Sequence, residues 1–328
     1  MNSIVFSIII PHKNSKESLQ FCLDSIPIRN DVQVIVVDDN SDTNNVDFNS
    51  FPQWGGKYYE CYFTKKGGGA GYARNIGLKH AKGEWVLFAD ADDFFTDKAN
   101  AIFDWVLQCT SDIVYARPKS VMLFDRKTSS KRADHYNSLL DDYISTGNET
   151  DIRINFWAPW SKFIKLSVVR QHEVCFDEIP YSNDMYFSTK IGCIAKSISV
   201  INDYLYVVTE SNHSLTSNYG RKKGETFYRS LGLFHSEIVS ARYKYTDFNS
   251  VIITLRDWYN SNQQLWVAGV ICVIKEGYRL PYVIRRIFAT KKIIPRIYHS
   301  SKASVLLFVN HIQKNVVSKW NEGYDIIS

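Results

Sequence analysis

The chain is 328 residues long, 45% hydrophobic and 14% aromatic, with a formal net charge of +5. That length holds one large domain or two modest ones around a substantial core, and the composition excludes a disordered chain. Six cysteines, Cys22, Cys61, Cys109, Cys175, Cys193 and Cys272, lie without paired short spacing, which argues against a zinc site or a disulfide framework and for a reducing compartment.

Met1-Asn2-Ser3 carries none of the basic charge of a secretory signal, and the apolar run after it ends at Pro11. It reads as a first strand, Val5 to Ile10. Leu19, Cys22, Leu23 and Ile26 give 15–25 a helical spacing, and Val32 to Val37 is a second buried strand. This βαβ opening predicts a parallel sheet with a right-handed crossover. A third strand is expected around Tyr58 to Phe63, followed by the glycine run Gly67 to Gly71 and a helix over 72–82. Trp85 to Ala89 supplies a fourth strand, a helix follows from Asp97 to Gln108, and Asp112 to Ala116 is a further strand. The stretch 121–150 is polar and reads as an irregular excursion on the acceptor side. Ile198 to Val208 reads as late strands, and from about residue 222 the pattern is helical. The apolar stretch Leu265 to Ile274 is about half the roughly 20 residues a bilayer requires, so no transmembrane helix is expected.

Charge is unevenly placed. Residues 276–328 hold nine Lys/Arg against three acids, interleaved with Tyr278, Tyr282, Ile284, Phe288, Ile293, Ile294 and Ile297. Such a tail either lies on an anionic membrane surface or forms a solvated helical face on the catalytic domain. Nothing elsewhere in the chain forms a basic stripe or a nucleic-acid reading motif, so nucleic acid is not expected as a partner.

The strand Trp85 to Ala89 runs straight into Asp90-Ala91-Asp92-Asp93. Parallel sheets bind ligands at the carboxyl ends of their strands, and Asp90 and Asp92 share one side of an extended chain. Two carboxylates aimed at one spot call for a cation between them, with Mg²⁺ or Mn²⁺ favoured by oxygen ligands. Asp38-Asp39 closes an earlier strand, where an acid can accept hydrogen bonds from a base or ribose. Gly67 to Gly71 fits neither Gly-x-Gly-x-x-Gly nor the Walker pattern, but flexible glycines ahead of Arg74-Asn75 suit a loop that brings a guanidinium to a diphosphate.

Four segments in order, Phe6-Ser7-Ile8-Ile9-Ile10-Pro11-His12-Lys13-Asn14, Val34-Ile35-Val36-Val37-Asp38-Asp39-Asn40-Ser41, Ala73-Arg74-Asn75-Ile76-Gly77-Leu78 and Gly83 to Asp93, resemble the signatures of family 2 glycosyltransferases. The resemblance covers about residues 4–215. It implies an α/β GT-A fold, Rossmann-like with a mostly parallel central sheet flanked by helices, over 1–218, and a mainly helical, basic C-terminal region over 219–328.

By position, the resemblance places Pro11 and Asn14 at the nucleoside, Asp39 at the base and Arg74 at the diphosphate. Asp90 and Asp92 match the DxD motif, with Asp92 the direct ligand of Mn²⁺ or Mg²⁺ and Asp93 facing the sugar or acceptor. The family's Glu-Asp pair, which carries the catalytic base, appears here as Asn183-Asp184, so Asp184 is the expected base, with Asp177 and Glu178 as rivals. Trp157 and Trp160 either stack on an acceptor sugar or belong to the core. His213 either adds a late metal or diphosphate contact or is an ordinary surface residue. Lys162 follows Trp160 in a pattern common in the family.

The implied activity is inverting transfer from a nucleotide-sugar, a UDP-sugar, to a hydroxyl of a glycan or lipid-linked acceptor. Such transfer belongs to surface-polysaccharide synthesis at the inner face of the cell membrane. Two alternatives stay open. A nucleotidyltransferase would show a Gly-rich basic signature where Pro11-His12-Lys13-Asn14 stands. A non-catalytic sugar-nucleotide-binding or scaffold protein would have no need of Asp90, Asp92 and Asp184 together.

Overall fold

The computed structural model describes residues 3–46, 52, 59–211 and 224–288. His213 and most of the basic tail, 289–328, lie outside the described residues.

Eight strands form one sheet in the order β3-β2-β1-β4-β7-β6-β8-β5. These are β1 (Phe6–His12), β2 (Val32–Asp38), β3 (Glu60–Phe63), β4 (Trp85–Phe88), β5 (Phe94–Phe95), β6 (Ile113–Met122), β7 (Lys162–Lys165) and β8 (Ile198–Glu210). β3, β2, β1 and β4 run parallel, β6 and β8 run the same way, and β7 and β5 run against them. The sheet is mostly parallel, as expected. Phe6, Ile8, Ile9, Ile10 and Val34 to Val37 are all buried, which explains why these strands read as unbroken apolar runs: helices cover both faces.

Pro11 does not end β1, which continues to His12. The Ile9 carbonyl faces β4, where it accepts from the Ala89 N–H, and residue 11 faces the same way. β4 pairs with β1 only as far as Phe88 against Ile9. Pro11 therefore faces the side that β4 has left, and its missing N–H costs the ladder nothing.

α1 (Lys16–Ser25) and α3 (Ala99–Val106) lie close to their expected ranges. α2 (Gly69–His80) starts earlier than expected and takes in Gly69 and Gly71 of the glycine run. The Asp39 carboxylate accepts from the Gly68 and Gly69 N–H groups (2.9 and 2.8 Å), placing negative charge at the helix start. Gly77 packs directly on Ile9 of β1, and Gly71 on the Asp177 carbonyl, with no room for a Cβ at either position. Close packing, rather than loop flexibility, accounts for these glycines.

The polar stretch 121–150 is also not the irregular excursion expected. It contains α4 (Asp134–Thr146). Tyr136, Leu139, Leu140 and Tyr143 repeat at helical spacing and pack on the core, and burying such side chains contributes about 1.5–3 kcal/mol each. The chain continues through α5 (Thr150–Asn155), α6 (Leu166–Gln171), α7 (Met185–Ile194) and α8 (Glu225–Arg242).

By internal contacts the chain divides into Met1–Thr246 and Asp247–Ser328. This division lies C-terminal to the expected boundary at 218 because α8 packs against α7. The second unit contains α9 (Phe248–Ser261), α10 (Gln263–Lys275) and α11 (Leu280–Phe288). Among the described residues no helix is long and apolar enough to cross a membrane.

Candidate active site

The carboxyl ends of β2 and β4 carry the expected acids, but each acid has a different task. Asp38, at the end of β2, is buried and accepts from His12 Nδ1 (2.7 Å), Ser41 Oγ (2.6 Å) and Ser41 N (2.9 Å). It joins the ends of β1 and β2. Burial would raise its carboxyl, but the bonds from His12 and Ser41 prevail and hold it below the ordinary carboxylate range. Asn14 straps the same two loops together: its N–H donates to Ser41 Oγ (2.8 Å) and its Oδ1 accepts from Asp42 N (2.7 Å). Pro11 is half-buried beside this strap. Asp39, 4% exposed, holds α2 and also accepts from Thr64 Oγ1 (3.1 Å).

Arg74 is the hub. It is 5% exposed; one Nη donates to Asp90 Oδ1 (2.6 Å) and the other to Asn183 Oδ1 (2.8 Å). A planar guanidinium can make two such bonds in fixed directions at once, which an ammonium cannot. Arg74 thus joins the acidic end of β4 to the residue beside Asp184. Its guanidinium also lies over the Phe176 ring at 5.3 Å. The next residue, Asn75, pairs with the Phe176 backbone, donating to its carbonyl (3.0 Å) and accepting from its N–H (2.8 Å). Consecutive residues of α2 therefore hold both ends of the 176–183 loop.

An aromatic cluster supports the arrangement from below. Phe88 of β4 meets Phe176 at 4.9 Å and Phe187 at 5.4 Å, and Phe176 stacks on Phe187 at 3.9 Å. Such pairs contribute about 0.5–1.5 kcal/mol beyond their buried area. The strand before the DxD acids and the loop around Asp184 rest on the same rings.

Asp92 is exposed. Protein atoms crowding its carboxyl, followed by the Asp90 charge, push it upward, opposed by Arg132. Asp93 is 1% exposed and accepts from Thr209 N (2.7 Å). Burial first, then Asp92 and Asp90, raise it well above the carboxylate range. Asp93 therefore faces β8 and the protein interior instead of an open acceptor position.

Trp160 is 3% exposed, stacked on Tyr206 at 5.9 Å and against Tyr136 at 4.9 Å. The Tyr206 hydroxyl accepts from the Asp90 N–H (2.8 Å). Of the two readings for Trp160, the structure supports the core: it buttresses the DxD loop through Tyr206. Trp157 is half-buried, and its indole N–H donates to the Ile154 carbonyl (2.8 Å).

Asp184 occupies the N-cap position of α7, and its side chain makes no capping bond. Burial raises its carboxyl; Arg74 and Lys162 pull it down and Asp90 pushes it up. The rival acids are engaged elsewhere: Asp177 accepts from His235 Nδ1 (3.0 Å) and Glu178 from Asn75 Nδ2 (3.0 Å). Lys162 is 1% exposed, donates to the Phe156 carbonyl (3.0 Å), and is pulled down by burial to about 7.

Arg132 was not foreseen from the sequence. It donates to the Thr209 carbonyl (2.8 Å), and its charge acts on Asp93, Asp90 and Asp92. It precedes α4 in the segment read as an excursion, and only the tertiary fold brings it to the acids. Tyr206, an ordinary strand residue by sequence, was missed for the same reason.

Among the described residues no three His, Cys, Asp or Glu side chains cluster as a metal site. Asp90 and Asp92 supply hard oxygen donors, and Arg74 takes only Oδ1 of Asp90. Mg²⁺-type sites held by one or two carboxylates, with phosphate oxygens and waters completing the shell, fit this donor set.

The mostly parallel sheet flanked by helices, with acids at its strand ends, is a GT-A fold. Residues 7–159 match the family model described as glycosyl transferase family 2. It is 28% identical over 246 residues to a poly(ribitol-phosphate) beta-glucosyltransferase of Bacillus spizizenii, covering 72% of this chain and 36% of that protein. To the poly(ribitol-phosphate) beta-N-acetylglucosaminyltransferase TarP of Staphylococcus aureus it is 25% identical, covering 73% and 72%. The crystal structure of S. aureus TarS 1-349 in complex with UDP-GlcNAc superposes with a TM-score of 0.57 at 20% identity, covering 86% of this chain and 88% of that one. The match to the Bacillus protein spans little more than a third of its length.

Proposed function

We propose that this chain transfers a sugar, with inversion, from a UDP-sugar to a hydroxyl of a surface polyol-phosphate or glycan polymer. The observation that carries the reading is Arg74. It grips Asp90 at the end of β4 and Asn183 next to Asp184, so one side chain couples a diphosphate-binding edge to a candidate base. The names of the relatives, which act on poly(ribitol-phosphate) with beta linkage, support the choice of acceptor class.

In this reading Pro11, Asn14 and Asp39 line the nucleoside end, and Arg74 and Arg132 bring positive charge to the diphosphate. A divalent cation, Mn²⁺ or Mg²⁺, held by Asp92 and Asp90, would neutralise charge on the departing nucleoside diphosphate. Asp184 takes the proton from the acceptor hydroxyl as that oxygen attacks the anomeric carbon. A carboxyl raised by burial is a stronger base than an exposed one, which suits the role. One displacement with one base inverts the anomeric centre, and no enzyme nucleophile is needed.

The test is UDP release from UDP-glucose and UDP-GlcNAc, with and without poly(ribitol phosphate), in the presence of Mn²⁺. Acceptor-stimulated release of at least tenfold with one donor is the expected result. Tight UDP binding with no release from any UDP-sugar would favour the binding-protein alternative.

A further inference from the structure

Ser182 has φ +57°, a left-handed conformation that costs a non-glycine residue on the order of 1 kcal/mol. It immediately precedes Asn183-Asp184. Something must hold the loop in this shape. On α2, Gly71 lies against the Asp177 carbonyl and Arg74 binds Asn183. The second set of contacts comes from α8, which lies well beyond the matched family segment 7–159.

Three α8 residues meet the loop and α7. Gly232 packs so closely that a methyl there would sit 2.8 Å from both Cβ and O of Ser182. His235, 6% exposed, donates from Nδ1 to Asp177 Oδ2 (3.0 Å) and stacks on Tyr186 at 3.9 Å. Ser236 Oγ shares a buried hydrogen bond with Thr189 Oγ1 (2.7 Å). Within the loop, the Asp177 N–H donates to the Asn183 carbonyl (3.2 Å). His235 thus acts on the residue that closes the loop, and Gly232 on the strained residue before Asn183.

We propose that α8 is the positioning element for Asp184, with Gly232 and His235 as positioning residues that set the carboxylate against the acceptor hydroxyl. Neither residue touches the reacting atoms. The inference rests on Asp184 being the base. It assigns a role in the chemistry to a helix outside the nucleotide-binding half. A displacement of about 1 Å at a reacting group is enough to cost up to ~100-fold in rate.

Gly232→Ala, His235→Ala and His235→Gln test it, each read by kcat, by KM for the UDP-sugar that turns over, and by calorimetric UDP affinity. Gly232→Ala and His235→Ala are expected to lose at least tenfold in kcat, with KM and UDP affinity within twofold of the parent. His235→Gln, whose amide can still donate to Asp177, is expected to recover most of the loss. The proposal is overturned if kcat stays within twofold in both alanine variants or if glutamine does no better than alanine. It is equally overturned if His235→Ala loses UDP binding, since that is a general structural role. Should Gly232→Ala not fold, the His235 pair decides. Full activity of Asp184→Asn would instead remove the base itself; an inactive Asp184→Asn beside fully active α8 variants would remove only this inference.

Discussion

Asp184→Asn is expected to lower turnover by about 10²–10⁴-fold, the usual contribution of a positioned general base, while leaving UDP affinity within twofold. It is also expected to raise the melting temperature near neutral pH. Burial lifts the Asp184 carboxyl above its ordinary range in the folded chain, so the native state holds that proton more tightly than the unfolded state. Above the folded value the site carries a charge that the native state disfavours, and the neutral amide removes this cost. The gain should therefore be largest at neutral pH and fade as pH falls to the ordinary carboxylate range, where both states are protonated. Thermal melts of parent and variant across pH, alongside kcat, check both halves. Parent-like turnover in Asp184→Asn would assign the base elsewhere.

Arg74 substitutions should cost more, because they affect both halves of the site. In Arg74→Ala, Asp90 and Asn183 lose their bonds together, and breaking such a buried charged contact destabilises by roughly 2 kcal/mol or more. Asp184 loses the charge that most lowers its carboxyl. With that charge gone the base is protonated over a wider range, so the acid limb of kcat should move to higher pH. UDP affinity should fall at least tenfold. Arg74→Lys keeps the charge but cannot span both partners; it should leave the acid limb near its parent position and still lose most of kcat. Coincident pH profiles for parent and Arg74→Ala would separate Arg74 from the base.

The sequence revealed β1, β2 and β4 because strands buried on both faces are written as unbroken apolar runs. The DxD acids stood out because acids directly after such a run have few structural reasons to cluster, whereas Asp184, an acid at a helix start where the dipole favours one, was legible only through the resemblance of Asn183-Asp184 to the family's Glu-Asp pair. The purpose of the glycines was not legible. Gly71 and Gly77 answer to contacts with Asp177 and Ile9, whose distance in the chain hides them from any local pattern. α4 did carry a signal in Tyr136, Leu139, Leu140 and Tyr143, but the charge and polarity around it obscured the spacing. Arg132 had no local signal, since only the fold of β8 and the pre-α4 segment brings it to the acids. For Trp160 the sequence held two readings, and burial against Tyr206 supports the core one.

The central claim is a nucleoside-diphosphate site built on the acids after β4. It is tested most directly by calorimetric titration with UDP, with and without Mn²⁺, on the parent and on Asp92→Asn. The expected result is UDP binding that is at least tenfold tighter with Mn²⁺ in the parent and loses that enhancement in Asp92→Asn. The contradicting result is parent protein that binds no UDP under either condition, or Asp92→Asn that keeps the full Mn²⁺ effect.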